Sequence, residues 1–298
     1  MKLLRVISSM NPKSGGPAQG IRNLNTHLAT LGVDVTVVCL DDEDVDYGVE
    51  DDFKIVKLGK GKTAFKFNTN LKRWLIENLS NFDVALVHGL WQYHNYAVYK
   101  AIKKLKQANK LIPKVAIMPH GMLDPYFQNA PERRVKAIRN RLIWRLNERN
   151  AINAADALFF TCQSELELAR TTFTGYKPKS EINVGYGIKH PPKFNDNFKT
   201  SFLEQCNGLN GNDYLLFLSR IDSKKGVDIL IETYQALISE GITLPDLVIA
   251  GPINNAYAKA MIQKAKSTAT IHFPGMLVGN AKWGAFYGAS AFVLPSYQ

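Results

Sequence analysis

Apolar positions recur along this chain in two periods, and the change from one to the other marks its elements. Residues 3–8 form a short apolar run, followed by turn-forming residues at 11–16. Ile21, Leu24, Leu28 and Leu31 then recur at helical spacing, which predicts a helix over 17–30. Gly32 stops it, and the β-branched run 33–40 predicts a buried strand. Strand, glycine-rich turn, helix and strand make one βαβ unit, which closes by a right-handed crossover. The alternation continues with strands expected at 53–58, 84–87, 115–118, 157–161 and 181–184. Helices are expected between them near 67–78, 96–108, 132–154 and 164–172. Near-continuous apolar strands separated by helices indicate a parallel sheet covered on both faces, an α/β fold.

The pattern breaks at 185–199, where Pro191, Pro192, glycine and polar residues read as a linker. A second series follows, with strands at 214–219, 247–250, 270–273 and 291–294 and helices at 228–240, 256–266 and 281–287. The expected division is therefore a first Rossmann-like domain over 1–187, a linker over 188–209 and a second Rossmann-like domain over 210–298. The last strand has no helix after it to cover the sheet, so the second domain is expected to be incomplete and native sequence to continue past Gln298. The N-terminal run lacks a small-residue cleavage site and has the length of a buried strand, so a cytoplasmic start is expected rather than a signal peptide.

Charge adds the first chemical constraint. The formal net charge of +11 favours anionic partners: nucleic acid, anionic lipid or phosphorylated ligands. It is concentrated at Arg133, Arg134, Lys136, Arg139, Arg141, Arg145 and Arg149, on a helix whose Val135, Ile138, Leu142 and Leu146 share one face. Three uses of that helix stay open: packing of the apolar face on its own sheet, contact with an anionic membrane surface, or nucleic-acid binding. The basic residues lack the interleaved aromatic platforms that single-strand binders use, which weighs against nucleic acid. Cys39, Cys162 and Cys206 are odd in number and far apart, and read as reduced thiols rather than a disulfide or metal framework. No zinc spacing and no G-x-S-x-G nucleophile turn occurs.

Candidate chemistry collects just beyond the strand ends, where parallel sheets bind ligands. Ser14, Gly15, Gly16 and Pro17 open the first helix, and glycines there let backbone amides approach an oxyanion. The turn is neither G-x-G-x-x-G nor a P-loop, which lowers the nicotinamide and triphosphate readings; phosphate contact and a plain turn stay open. His88–Gly89 and His120–Gly121 both follow apolar strands, where a histidine can donate to a sugar hydroxyl or a developing anion, or merely satisfy local carbonyls. Arg220 and Lys225 follow the first strand of the second series, placed to clamp a diphosphate and offset charge on a leaving phosphate. His272 lies inside a strand and reads as structural.

These segments together resemble the retaining glycosyltransferases of family 4, which have two facing Rossmann-like domains, the GT-B fold. The match rests on Ser14–Gly15–Gly16, Pro119–His120–Gly121–Met122–Leu123, Thr161–Cys162–Gln163–Ser164–Glu165, Ser219–Arg220–Ile221 with Lys224–Lys225–Gly226, and Ala291–Phe292–Val293–Leu294–Pro295–Ser296. The resemblance implies a nucleotide-sugar-dependent hexosyltransferase, with no cofactor or metal beyond the donor itself. Its acceptor would be a glycan or lipid-linked saccharide, as in surface polysaccharide or lipopolysaccharide synthesis. It places the donor diphosphate against Gly15, Gly16, Arg220 and Lys225, and the donor sugar near His120. His120, Arg220 and Lys225 are then the catalytic set, and the family's two donor-binding glutamates would fall after Gln298. Peripheral attachment to the inner face of the membrane and no nucleic-acid partner complete the expectation. Two other readings remain: a non-hydrolysing sugar-nucleotide epimerase, which shares the architecture, and a basic binding protein without catalysis.

Overall fold

The computed structural model describes residues 1–12, 15–130, 133–188 and 190–297. The chain divides into two compact units, Met1–Lys189 and His190–Gln298.

The first unit runs β1 (Lys2–Val6), α1 (Gly16–Thr30), β2 (Asp34–Cys39), β3 (Lys54–Lys57), α2 (Thr69–Asn78), β4 (Val84–His88), α3 (Tyr93–Gln107) and β5 (Lys114–Met118). It continues through α4 (Tyr126–Asn129), α5 (Arg134–Ile143), a π-helical turn (Trp144–Glu148), α6 (Arg149–Ala154), β6 (Ala157–Phe160), α7 (Gln163–Thr172) and β7 (Glu181–Asn183). The strands form one sheet in the order β3-β2-β1-β4-β5-β6-β7, and the paired strands are parallel. Chain order reverses between β1 and β4, and a doubly wound sheet opens its ligand crevice at that point, beyond the strand C-termini.

Alternate residues feed opposite faces of this sheet. Leu4, Val6, Val38 and Val87 join one core, while Leu3, Ile7, Val37 and Leu86 join the other with Ile21 of α1. Arg5 shares the parity of Leu3 and Ile7, so an arginine lies in a row of core positions with only 4% of its surface exposed.

The second unit runs α8 (Asp196–Gln205), β8 (Tyr214–Leu218), α9 (Val227–Ser239), β9 (Asp246–Ala250), α10 (Ala256–Ala265), β10 (Ile271–Gly275), α11 (Gly279–Gly288) and β11 (Ala291–Phe292). Its parallel sheet has the order β10-β9-β8-β11, so its own reversal lies between β8 and β11. Residues 196–205 fall within the segment expected as a linker, yet α8 is part of this unit. Phe202, Cys206 and Leu209 pack with Tyr214, Leu216 and Val248 on one face of the sheet. The backbone of Phe198 lies so close to Gly284 of α11 that a Cβ there would sit 1.9 Å from its carbonyl oxygen.

His272 Nε2 donates to Asp246 Oδ2 at 2.7 Å, a pairing inside the sheet that fits its structural reading. The three cysteines are free, with Cys39 and Cys206 buried.

The basic helix packs by a face that hydrophobicity alone does not mark. Val135, Ile138, Leu142 and Leu146 are 55–82% exposed, so they are not consumed by the first unit's sheet. Ala137, Asn140, Trp144 and Glu148 are buried instead. Small Ala137 permits close approach, Trp144 stacks on Phe173 and donates its indole N–H to Thr174 O at 3.0 Å, and Glu148 accepts from Trp91 N. Residue 132, the expected start of this helix, lies outside the described residues.

Candidate functional site

The crevice of the first unit is built from the ends of β1, β4 and β5. Register pairs Arg5 with Leu86 and His88 with Met118, so Arg5, His88 and His120 advance across the strand ends on one side. Arg5 Nη1 lies 3.2 Å from His88 Nε2, and His88 Nδ1 lies 3.0 Å from His120 Nε2. The two imidazoles stack with centroids 5.3 Å apart. The cavity at this crevice measures about 320 Å³ and is lined by Ser8, Pro17, His88, Gly89, Gln92 and Arg139, among others.

Local chemistry explains how His120 is held. It adopts φ +54°, a left-handed conformation that costs a non-glycine residue energy and persists only when neighbours impose it. Glu165 is one of them. Its Oε1 accepts from Gly121 N at 2.6 Å, while Oε2 accepts from Thr161 N at 2.7 Å and Thr161 Oγ1 at 2.6 Å. A single carboxylate thereby ties the turn after β5 to the turn before α7. Tyr186 closes the other side, its ring edge-on to His120 and its hydroxyl donating to Gly16 O at 2.5 Å. Gly20 makes room for it, since a Cβ there would stand 2.1 Å from the Tyr186 hydroxyl.

Burial keeps the histidines neutral. His120 falls to about 4, chiefly through desolvation, with the Glu165 carboxylate pulling the other way and the Arg5 cation adding to the fall. His94 also falls to about 4 by burial, and its Nε2 faces His88 O at 2.9 Å. His88 lies well below the usual histidine range for the same reason, reinforced by Arg5. Arg5 itself is lowered to about 10 by burial.

The turn at Gly15 and Gly16 lies beside this group. Gly15 has φ +97°, and α1 begins at Gly16 with no side chain capping its first turn. Gly15 itself offers the leading amides of this helix no side-chain cap, and amides at a helix start can meet an anion. Ser14 of the same motif lies outside the described residues.

Behind the crevice, Glu148 carries a prediction of its own. It is 1% exposed, accepts from Trp91 N at 2.9 Å and is pushed up to about 8, chiefly by desolvation. A carboxyl whose folded value is raised binds its proton more tightly folded than unfolded. Its contribution is present below the ordinary carboxyl range and is lost as pH climbs through about 8. Glu148→Gln keeps the acceptor for Trp91 N and removes the ionisation. The melting temperature of the variant relative to the parent should therefore rise by about 3 °C or more between pH 5 and pH 9. Thermal melts at the two pH values check this, and equal differences would show that the Glu148 carboxyl ionises in the fold as readily as in the unfolded chain.

In the second unit Arg220 and Lys225 lie in the loop between β8 and α9, at that sheet's reversal point. Asp222 organises the loop by accepting from Lys224 N at 3.2 Å and, through its carbonyl, from Lys225 N at 2.9 Å. Gly226 has φ +64°, and a Cβ there would meet Pro295 O at 2.0 Å, so the loop after β8 and the segment after β11 touch backbone to backbone. Arg220 is exposed and Lys225 half-buried, and neither forms an ion pair with a carboxylate among the described residues. The structure thus groups His120 with Gly16 through Tyr186, and places Arg220 and Lys225 on one loop.

Arg5, Tyr186 and Glu148 escape the sequence reading. Glu165 ends the segment Thr161–Glu165, and the sequence alone assigns it no role. A charged residue inside an apolar strand, and an aromatic between Gly185 and Gly187, are the signals that could have found the first two. Among the described residues no group of three or more His, Cys, Asp or Glu side chains is arranged to hold a metal ion.

Comparison with known proteins follows the same division. The model described as Glycosyltransferase Family 4 matches residues 14–182, and the one described as Glycosyl transferases group 1 matches residues 201–298. No curated protein matches the sequence. Among solved structures, HepE of Anabaena in complex with UDP and glucose is similar at TM-score 0.70 and 14% identity, over 99% of this chain and 74% of that one. A glycosyltransferase of Rickettsia africae ESF-5 gives TM-score 0.66 at 14% identity, over 100% and 73%. A UDP-GlcNAc 2-epimerase of Methanocaldococcus jannaschii gives 0.55 at 15% identity, over 98% and 78%. At such identities these likenesses establish the fold, two Rossmann-like domains of the GT-B type.

Proposed function

We propose, because the chain belongs to Glycosyltransferase Family 4, that it moves a sugar from a nucleotide-sugar donor to a glycan or lipid-linked saccharide acceptor with retention of configuration. The observation that carries this reading is the pair Arg220 and Lys225, cations without ion-pair partners among the described residues, at the reversal point of a parallel sheet. They are assigned to the donor diphosphate, where they offset charge as the sugar–phosphate bond breaks. Gly15 and Gly16 are assigned to the donor phosphate and His120 to the donor sugar. HepE, similar in fold, is described in complex with UDP-glucose, which supports a nucleotide sugar as donor. The leaving diphosphate would itself help to take the acceptor proton, since the assigned residues offer no nucleophile. A fold shared with 2-epimerases leaves the family match as the ground for preferring transfer. Calorimetric titration tests the assignment: a nucleoside diphosphate should bind at one site per chain. Salt-sensitive retention on DNA without nucleotide binding would replace this reading by the basic binding protein.

Surface polysaccharide or lipopolysaccharide synthesis, at the inner face of a membrane, is the setting we propose. Its support is the exposed apolar stripe of Val135, Ile138, Leu142 and Leu146. Beside it a cavity of about 730 Å³ is lined by Arg141, Arg145 and Arg149 as well as Ile138 and Leu142. No helix among the described residues is long and apolar enough to cross a membrane, so the contact would be with the surface. Each arginine near an anionic surface contributes about 1 kcal/mol, and salt screens the attraction. In vesicle sedimentation, binding should require anionic lipid, fall as salt rises, and drop when Arg134, Arg141 and Arg145 all become glutamine. Equal binding to neutral vesicles, or no loss in the triple variant, would remove this helix as the contact.

A further inference from the structure

We propose that Arg5 is a positioning residue which, acting through His88, fixes the tautomer of His120 and makes its Nδ1–H the edge that faces a ligand. The inference rests on the assignment of His120 to the donor sugar, but its geometry stands without it.

Donors and acceptors decide the tautomers. A guanidinium has five N–H donors and no acceptor, so the contact at 3.2 Å obliges His88 Nε2 to accept. The proton of a neutral His88 then sits on Nδ1, which is the atom 3.0 Å from His120 Nε2. His120 Nε2 must in turn accept, and the proton of His120 resides on Nδ1. Protonating His120 at Nε2 would set two N–H groups against each other. The conflict could be relieved only by moving the His88 proton to Nε2, where it would oppose Arg5. One buried cation therefore determines the state of an imidazole two residues away in the chain of contacts.

The surroundings leave the alignment little freedom. Arg5 is 4% exposed and His88 likewise, and Arg5 has no carboxylate partner among the described residues. Among the described residues its Nε lacks a hydrogen-bond partner, while its Nη1 lies 3.2 Å from His88 Nε2. The groups that face His120 are His88 of β4, Glu165 of α7 and Tyr186 after β7, with Arg5 of β1 and His94 of α3 against His88. Glu165 is the one acid among them, and both its oxygens are engaged by Gly121 N, Thr161 N and Thr161 Oγ1. The lowered values of all three histidines agree with a neutral, aligned row. His120 then acts as a fixed hydrogen-bond donor, toward a sugar hydroxyl, and not as a base, because its second nitrogen is occupied.

Long-range 1H–15N correlation on the 15N-imidazole-labelled chain, without any ligand, reads each tautomer directly; single histidine substitutions assign the six rings. The wild-type protein should show His88 and His120 both as Nδ1–H and neutral at pH 5.5. In Arg5→Met, His120 should lose its fixed tautomer and titrate closer to the ordinary histidine range. In Arg5→Lys, another donor-only cation, the wild-type pattern should return. In turnover, Arg5→Met should lower kcat roughly tenfold with KM little changed, and Arg5→Lys should recover most of it. An Nε2–H tautomer at His120 in the wild-type protein overturns the proposal even if no Arg5 variant folds. A folded Arg5→Met with unchanged tautomer and titration overturns it too. Since the spectra are recorded without donor, they separate this inference from the functional one: an inert His120→Ala would refute the sugar contact and leave the tautomer chain standing.

Discussion

Replacing His120 by alanine should lower kcat for sugar transfer about 100-fold while leaving nucleoside-diphosphate affinity within about twofold. The asymmetry follows from where the imidazole sits. It is pinned by Glu165 and Tyr186 and assigned to the sugar, whereas the diphosphate is assigned to the backbone at Gly15 and Gly16 and to Arg220 and Lys225. A donor aimed at the reacting sugar acts on charge that develops only as the bond to phosphate breaks, so its loss appears in turnover rather than in ground-state binding. His120 is half-buried and its φ is already left-handed, so alanine at this site inherits the strained backbone but not the hydrogen bond to His88. Steady-state kinetics and titration on the same preparation check the split. Equal losses in both, or normal turnover, would return His120 to a purely structural role.

Arg220→Ala and Lys225→Ala should each weaken nucleoside-diphosphate binding about 10- to 100-fold, the loss expected for one charge-assisted hydrogen bond. Neither side chain holds up the loop. Asp222, the Gly226 conformation and the contact with Pro295 do that, so the variants should fold and melt like the parent. Binding should weaken less in Arg220→Lys than in Arg220→Ala, because lysine keeps the charge and loses the planar fork. Raising salt should narrow the gap between parent and variants, as for any exposed cation. Unchanged titration curves in folded variants would remove the two cations from the donor site.

Much of the fold could be read from the chain because parallel strands buried on both faces are written as near-continuous apolar runs. Val33 to Leu40 and Val84 to Val87 are such runs, and each lies within a residue or two of an observed strand. Helix α8 is harder to see. Its buried residues are Phe198 and Phe202 on a short, polar segment after two prolines, too few to display a period. The basic helix shows a second limit. Hydrophobicity picked out Val135, Ile138, Leu142 and Leu146, whereas the packed face is made by a small residue, an indole with a hydrogen bond and a buried carboxyl. Which side of a helix faces a core depends on shape and polar partners as well as on apolar surface.

The candidate site was legible where chemistry lies just past a strand. His88 and His120 stood out because each follows an apolar run and precedes glycine, and Arg220 and Lys225 because they follow one too. Arg5 did not, since a single cation within a strand carries no sign of which face it occupies, and only the sheet register sets it against His88. Tyr186 was hidden for a different reason. It lies 170 residues from the helix terminus it touches, in a segment whose composition suggested a linker. Contacts of that length are made by the tertiary fold and leave no local trace.

The central claim is that this chain transfers a sugar from a nucleotide donor, and incubation with a sugar-labelled nucleotide sugar tests it most directly. With a saccharide acceptor present, the label should move to the acceptor as nucleoside diphosphate is released. Without acceptor, the donor should be hydrolysed slowly or stay unchanged, with its sugar configuration intact. Interconversion of the sugar in the absence of acceptor would contradict the account and make the chain an epimerase.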